Sequence, residues 1–211
     1  MVTDTPHVTG APDAARTPAG HARLLVTALL LVVALAAAAL STAPRAGAAP
    51  PSPAGGWAKA VCSAIGSYKQ DVAKLSKTFG KTIGRSKSLS EVKTGFTSYL
   101  RRNVARAHRA LAAIRKAGIP NVPNGPAIAA AFSAGFTQLE TGFTALVTEV
   151  QTLPTDTVAN FNAAVQTLEG HINDLQTQNQ AIFTAAQPLE TPQLQRAVAS
   201  QAACKAFQNA S

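Results

Sequence analysis

From Trp57 onward, apolar residues recur at alternating steps of four and three positions. The first such stripe is formed by Val61, Ile65, Tyr68, Val72, Leu75 and Phe79. A repeat of about 3.5 residues is typical of a helix that packs along its length against other helices. Similar stripes follow in residues 89–114, 128–153 and 158–182. Aromatic residues make up only 5% of the chain, which also favours helices over a β-sandwich.

Local signals separate four long helices. Ser88, with a glutamate three residues later, forms a capping box that starts the second helix. Gly118 ends that helix, and Pro154 breaks the third. Long helices joined by short loops predict an all-α, up-down-up-down four-helix bundle over residues 57–211. A short fifth helix at the C-terminus would carry Cys204 and fold back onto the first helix.

Three glycines and one asparagine within the predicted helices bear on their packing. Gly135 and Gly142 lie one heptad apart in the third helix, where each costs about 1 kcal/mol relative to Ala. Close contact with a neighbouring helix would explain both, and so would a ligand cavity. Asn179 occupies a seam position: we expect the fourth helix to leave the core there, and the alternative is a core asparagine that fixes the register of the helices. Gly66, one turn after Cys62, would let the fifth helix approach closely.

The N-terminal region has the order of a secretory signal. Residues 24–40 form a continuous apolar run that basic residues precede and small residues follow. We place cleavage after Ala48, so that residues 1–48 are the signal peptide and residues 49–56 a Pro/Ala/Gly-rich linker. The protein would then be secreted or held at the cell surface. The alternative is an uncleaved anchor in the plasma membrane, since residues 24–43 would reach across the bilayer core of about 30 Å.

The two cysteines, Cys62 and Cys204, lie at the two ends of the predicted domain. In an exported chain such a pair predicts a disulfide. The bond would close a loop of about 140 residues, which chain entropy credits with at most about 5 kcal/mol. Two free buried thiols are the alternative. A metal site is disfavoured because no histidine lies at ligand spacing from either cysteine.

The run RRNVARAHRALAAIRK, residues 101–116, contains no acid. Its six fixed cations are Arg101, Arg102, Arg106, Arg109, Arg115 and Lys116. At about 100° per residue they occupy the helix face opposite the apolar stripe. Residues 57–120 hold 14 Lys and Arg against 2 acids, a net charge of +12, whereas residues 121–211 hold 2 against 6. The run is either a surface for polyanions or a solvated face that the acidic half offsets in part.

The charge points to anionic lipid, acidic glycan or another envelope polymer as partners. Sequence-specific nucleic acid is disfavoured because no aromatic residues interleave with the arginines and because the chain is expected to be exported. No catalytic, cofactor or metal motif is found. His171 has Asp174 three residues on, and His108 lies among the cations. We expect both histidines to be ordinary surface residues, and we expect a non-enzyme without cofactor.

Three stretches give the chain a family likeness. They are WAKAVCSAIGSY (57–68), GIPNVPNGP (118–126) and ACKAF (203–207). In this order, after an Ala-rich signal and a Pro-rich lead, they resemble the small secreted two-cysteine helical proteins of actinobacteria. The resemblance implies export and a Cys62–Cys204 bridge. It implies no catalytic residues, because that family carries no assigned activity.

These observations predict an exported, non-catalytic helical protein that binds at the cell envelope through the basic helix face. The alternative is a carrier of a small apolar ligand held between the helices. A cavity lined by Phe132, Phe136 and Phe143 would favour the carrier, and a continuous basic face over a solid core would favour the binding protein. The sequence leaves the oligomeric state open.

Overall fold

The computed structural model describes residues 51–184 and 186–208, which are mainly helical. The elements in chain order are β1 (Pro51–Ser52), α1 (Ala54–Ile83), α2 (Leu89–Ala117), β2 (Ile119–Pro120), α3 (Gly125–Thr152), α4 (Val158–Thr184), a 3₁₀ turn (Gln187–Leu189), α5 (Pro192–Ser200) and α6 (Ala202–Gln208). The all-α class is therefore confirmed. The predicted signal peptide, residues 1–48, lies outside the described residues. Within the described residues, no helix combines the length and apolar character needed to cross a bilayer.

The predicted limits of α2 are confirmed. The backbone N–H of Glu91 donates to Ser88 Oγ at 3.2 Å, and the Glu91 carboxylate accepts from the backbone N–H of Lys87 at 2.6 Å. At the other end Gly118 has φ 75°, a left-handed backbone conformation that glycine adopts without strain. Local capping chemistry thus sets both ends of the helix that carries the basic run.

The long helices pack in sequence: α1 against α2, α2 against α3, and α3 against α4. Their apolar stripes form one core, in which Leu100, Ile128 and Leu168 are at most 1% exposed. Edge-to-face ring contacts also join α1 to α3, for example Tyr68 with Phe136 at 5.4 Å between centroids. All four long helices therefore contribute to this core, and α4 packs against α3.

The C-terminal region folds back onto α1, as expected, but as two short helices rather than one. Gln201 has an extended backbone (φ −90°, ψ 124°) that separates α5 from α6. Cys204 lies on α6, is 1% exposed and is bonded to Cys62, with 5.0 Å between the Cα atoms. The predicted disulfide is confirmed. The expected role of Gly66 was wrong, because a Cβ built there meets no atom within 4 Å.

The first described residues pair with the loop between α2 and α3, which the sequence did not indicate. β1 and β2 form a two-residue parallel pairing, extended by Asn121 N–H donating to the Ser52 carbonyl at 2.8 Å. Trp57 Nε1 donates to the Gly118 carbonyl at 3.0 Å. Residues 51–56, expected to belong to a linker, are thus part of the folded unit, and α1 begins at Ala54 rather than Trp57.

Close packing explains both glycines of α3. A Cβ at Gly135 would lie 2.9 Å from the Phe183 ring, and a Cβ at Gly142 would overlap the Leu175 side chain. The favoured interpretation of Asn179 was wrong: it is 6% exposed, so α4 does not leave the core there and the asparagine lies in the core, as in the alternative. The helix continues to Thr184. The Asn179 amide lies beside Gly135 of α3, where the missing side chain leaves room for it.

Candidate functional site

The six cations of the basic run all lie on α2, on the side away from its buried residues. Those buried residues include Leu100, Ala107, Leu111 and Ile114, each at most 3% exposed. Arg101, Arg102, Arg109, Arg115 and Lys116 are exposed, and Arg106 is half-buried. The placement predicted from helical periodicity therefore holds, but the six side chains do not share one environment.

Arg106 and Arg109 face α1, where Asp71 partly neutralises them. Arg106 Nε lies 2.8 Å from Asp71 Oδ2, and Arg109 Nη2 lies 3.7 Å from the same oxygen. Arg106 Nε lacks hydrogen-bond alignment with any acceptor, so its contact with Asp71 is an ion pair. This partner was not predicted from the sequence. The signal was available: Asp71 is the single acid of α1, and a hairpin through residues 84–88 brings it opposite residue 106.

The opposite flank of α2 faces α3. His108 Nδ1 lies 2.9 Å from Glu140 Oε1, and Arg115 Nη2 donates to Thr137 Oγ1 at 3.4 Å. Arg101, Arg102 and Lys116 are exposed as well, and among the contacts of the described residues their side chains have no ion pair or hydrogen bond. This is the portion of the positive surface that remains open to a partner.

His171 pairs across helices and not with Asp174, the partner that the sequence suggested. Its Nδ1 lies 2.7 Å from Glu149 Oε2 on α3, and the side chain is half exposed. The hydrogen bond to Glu149 and the negative charge of that carboxylate raise the pKa of His171, with a smaller contribution from Asp174. The pair joins α3 to α4 on the surface. Within the described residues, His, Cys, Asp and Glu side chains form no cluster of three or more that could hold a metal.

A groove of about 550 Å³ opens beside the N-terminal half of α2, between that helix and the α3–α4 connection. Its walls are formed by Ser90, Lys93, Thr94, Thr97, Ser98, Arg101, Arg102, Ala105, Gln151 and Thr155. Three of these residues are cationic and none is acidic. Lys93 Nζ donates to the Leu153 carbonyl at 2.8 Å, which fixes one cation against the loop that closes the groove. This groove was not predicted from the sequence, because it depends on a contact between residues 60 positions apart.

Of the three phenylalanines expected to line a carrier cavity, Phe132 and Phe136 pack against other rings, and Phe143 is buried in the core. Phe132 makes edge contacts with Trp57 at 5.5 Å and with Phe183 at 5.4 Å. Phe136 is 2% exposed and contacts Tyr68. Ring pairs at these separations are filled core packing. They provide contacts that a ligand in this region would have to displace.

Comparisons with known proteins add no relative to this picture. No protein-family model, no curated protein and no solved structure matches the chain. What the protein binds must therefore be inferred from the charges, contacts and surfaces of its own residues.

Proposed function

We propose that this chain is an exported, non-catalytic helical protein. It binds anionic material of the cell envelope through the α2 face, the exposed surface of α2 that carries Arg101, Arg102 and Lys116. The observation that carries the proposal is that both acids of the α1–α2 hairpin already have partners. Asp71 pairs with Arg106 and Arg109, and Glu91 caps the start of α2. Both acids in residues 57–120 are thus engaged, and Arg101, Arg102 and Lys116 are left facing water.

The missing countercharge favours a role for these cations over simple solvation. A face kept only for solubility would mix signs, since like charges four residues apart on a helix, as Arg102 and Arg106 are, destabilise it by about 0.2–0.5 kcal/mol per pair, and Asp71 relieves this pair only in part. The two carboxylates of α3 that meet a neighbouring helix pair with histidines, Glu140 with His108 and Glu149 with His171. Direct ion pairs from the acidic half to the exposed arginines are not among the contacts of the described residues. A polyanion would supply the missing countercharge.

Export belongs to the same proposal. The Cys62–Cys204 bond supports it, because stable disulfides form in oxidising compartments. The apolar run at residues 24–40 and the resemblance to secreted actinobacterial proteins point the same way. The up-down-up-down bundle also remains a proposal. It is supported by the short connections at residues 84–88 and 153–157 and by the packing of successive helices.

The test is binding of the purified protein to vesicles and polymers of known charge. We expect co-sedimentation with phosphatidylglycerol vesicles or retention on an acidic polysaccharide at low salt, and none with phosphatidylcholine vesicles. High salt should abolish binding, because screening shortens the reach of exposed charges to about 3 Å at 1 M. Replacing Arg101, Arg102 and Lys116 by Gln should cost about 3 kcal/mol, or more than a hundredfold in affinity.

A matched variant separates position from net charge. Lys59, Lys77 and Lys81 are exposed cations of α1, outside the α2 face. Replacing them by Gln removes the same charge and should weaken binding much less. If the unmodified protein ignores every anionic probe at low salt, the α2 face is only solvated and the proposal fails.

A further inference from the structure

We propose that the groove beside α2 is the subsite that recognises the anionic partner, and that its occupant is a segment of acidic polysaccharide. This inference rests on the proposed function and narrows it to one ligand class. The groove has about 550 Å³ of space, enough for a few sugar residues. Its cations, Lys93, Arg101 and Arg102, all lie on α2, and Lys93 reaches across to the Leu153 carbonyl in the turn after α3.

One cation of the groove, Lys93, is held in place by the protein. Lys93 is half-buried and gives one of its N–H bonds to the Leu153 carbonyl, which lies in the turn after α3. A lysine ammonium has three donors, so two remain for a ligand. Because the side chain is already ordered, binding loses less rotamer entropy than it would at a free surface lysine. A lysine that served only solubility would have no need of this anchor.

The uncharged residues that line the groove offer both hydrogen-bond donors and acceptors. The hydroxyls of Thr94 and Thr97 donate to helix carbonyls at 2.9 Å, so their oxygens are left as acceptors. Ser98 and Gln151 add groups that can both donate and accept. A bare inorganic anion needs donors only. A mixture of fixed donors, free acceptors and cations instead matches a chain that carries both hydroxyl and carboxylate or sulfate groups.

The placement of the three groove cations around α2 favours a polymer over a bilayer as the partner. At about 100° per residue, Lys93, Arg101 and Arg102 leave α2 at positions spread over about 180° of its circumference, and the Lys93 ammonium is held against the Leu153 carbonyl. A flat bilayer contacts a helix along a narrow arc and cannot reach all three cations together. A polysaccharide strand can lie in the concave surface and contact each of them in turn.

The experiment compares two double variants that remove equal charge. Arg101→Gln with Arg102→Gln changes the groove, whereas Lys77→Gln with Lys81→Gln removes two exposed cations of α1 outside it. The probe is polygalacturonate, with neutral dextran as the uncharged polymer and phosphatidylglycerol vesicles as the bilayer. We expect the groove variant to bind polygalacturonate at least about tenfold more weakly than the control variant, because charge-assisted hydrogen bonds require contact.

A third variant tests shape without changing charge. Ala105 lines the groove and is exposed, so Ala105→Leu fills part of the groove while keeping a good helix former. We expect several-fold weaker binding to polygalacturonate and an unchanged unfolding midpoint in urea. Circular dichroism of each variant confirms that the fold is retained.

The outcomes distinguish the two proposals. Equal losses in the two double variants, or full binding by Ala105→Leu, would overturn the groove and leave the broader anionic role in place. Binding to phosphatidylglycerol vesicles but not to polygalacturonate would overturn the ligand class alone. Failure of the unmodified protein to bind any anionic probe would overturn both.

Discussion

At the scale of single residues, the basic run depends on a carboxylate that lies outside it. Asp71 partly neutralises Arg106 and Arg109 from α1. Asp71→Asn should therefore have two effects of opposite sign. Removing one negative charge should tighten binding to an anionic surface about fivefold, and losing a partly exposed ion pair should lower the free energy of unfolding by up to about 1 kcal/mol. Vesicle or polymer titration measures the first effect, and urea unfolding the second.

The control for Asp71→Asn is Glu190→Gln, which removes an exposed acid from the loop before α5. If both variants change binding equally, only net charge matters and the position of Asp71 has no special role. If neither variant changes binding, the exposed face of α2 does not contact the anion.

The candidate site was predictable from the sequence only in part. Helical periodicity correctly put the six cations opposite the core, since that depends on angles along one helix. It could not show that Arg106 is half-buried against Asp71, or that Lys93 belongs with Arg101 and Arg102. Both facts depend on which residues of neighbouring helices come opposite each other, and that register is set by tertiary packing.

The pair between His171 and Glu149 should make a pH-dependent contribution to stability. Glu149 raises the pKa of His171 above its ordinary value of 6.5 in the folded state. Such a group stabilises the fold fully below the unfolded-state pKa, and the contribution is lost as pH rises through the folded-state pKa. We expect Glu149→Gln to return the pKa of His171 towards 6.5, as measured by NMR titration of the imidazole. The difference between the urea midpoints of the two proteins should be largest in mild acid. A difference that grows at alkaline pH would contradict the assignment.

At the scale of elements, the contact between α3 and α4 depends on the absence of side chains at two positions. Gly142→Ala would force a Cβ into Leu175, and overpacking of this kind costs about 1–3 kcal/mol. Gly170→Ala is the matched control. Gly170 is exposed in the middle of α4, and a Cβ there meets no atom within 4 Å. We expect the control to gain up to about 1 kcal/mol from helix propensity. Urea unfolding should thus move in opposite directions, and stabilisation by both variants would contradict the close packing.

The elements themselves were predictable wherever the signal was local. The capping serine and the terminal glycine of α2 fixed its limits at Leu89 and Ala117. The stripes identified the buried face of each long helix. The pairing of Ser52 with the loop after α2 was not predicted, and the burial of Asn179 was only the alternative to the favoured interpretation. Each depends on residues far apart in the chain, to which periodicity within one helix is blind.

At the scale of the whole molecule, charge is distributed unevenly between two halves that fold together. Residues 57–120 carry 14 cations and 2 acids, and the later half carries 2 cations and 6 acids. Self-repulsion within the first half opposes folding, and the short range of screened interactions limits relief from the second half. A surface that is kept at a cost in stability is what a binding role would require.

This trade-off gives a prediction that needs no ligand. In urea unfolding, moderate NaCl should raise the free energy of unfolding by about 1 kcal/mol, because it screens repulsion in the α1–α2 hairpin. Arg101→Gln with Arg102→Gln should be about 0.5 kcal/mol more stable than the unmodified protein at low salt, and its stability should respond less to NaCl. Sucrose, which is uncharged, controls for general exclusion of a co-solvent from the protein surface. A fall in stability with NaCl, or a loss of stability in the double variant, would mean that these arginines contribute to the fold and are not held there against it.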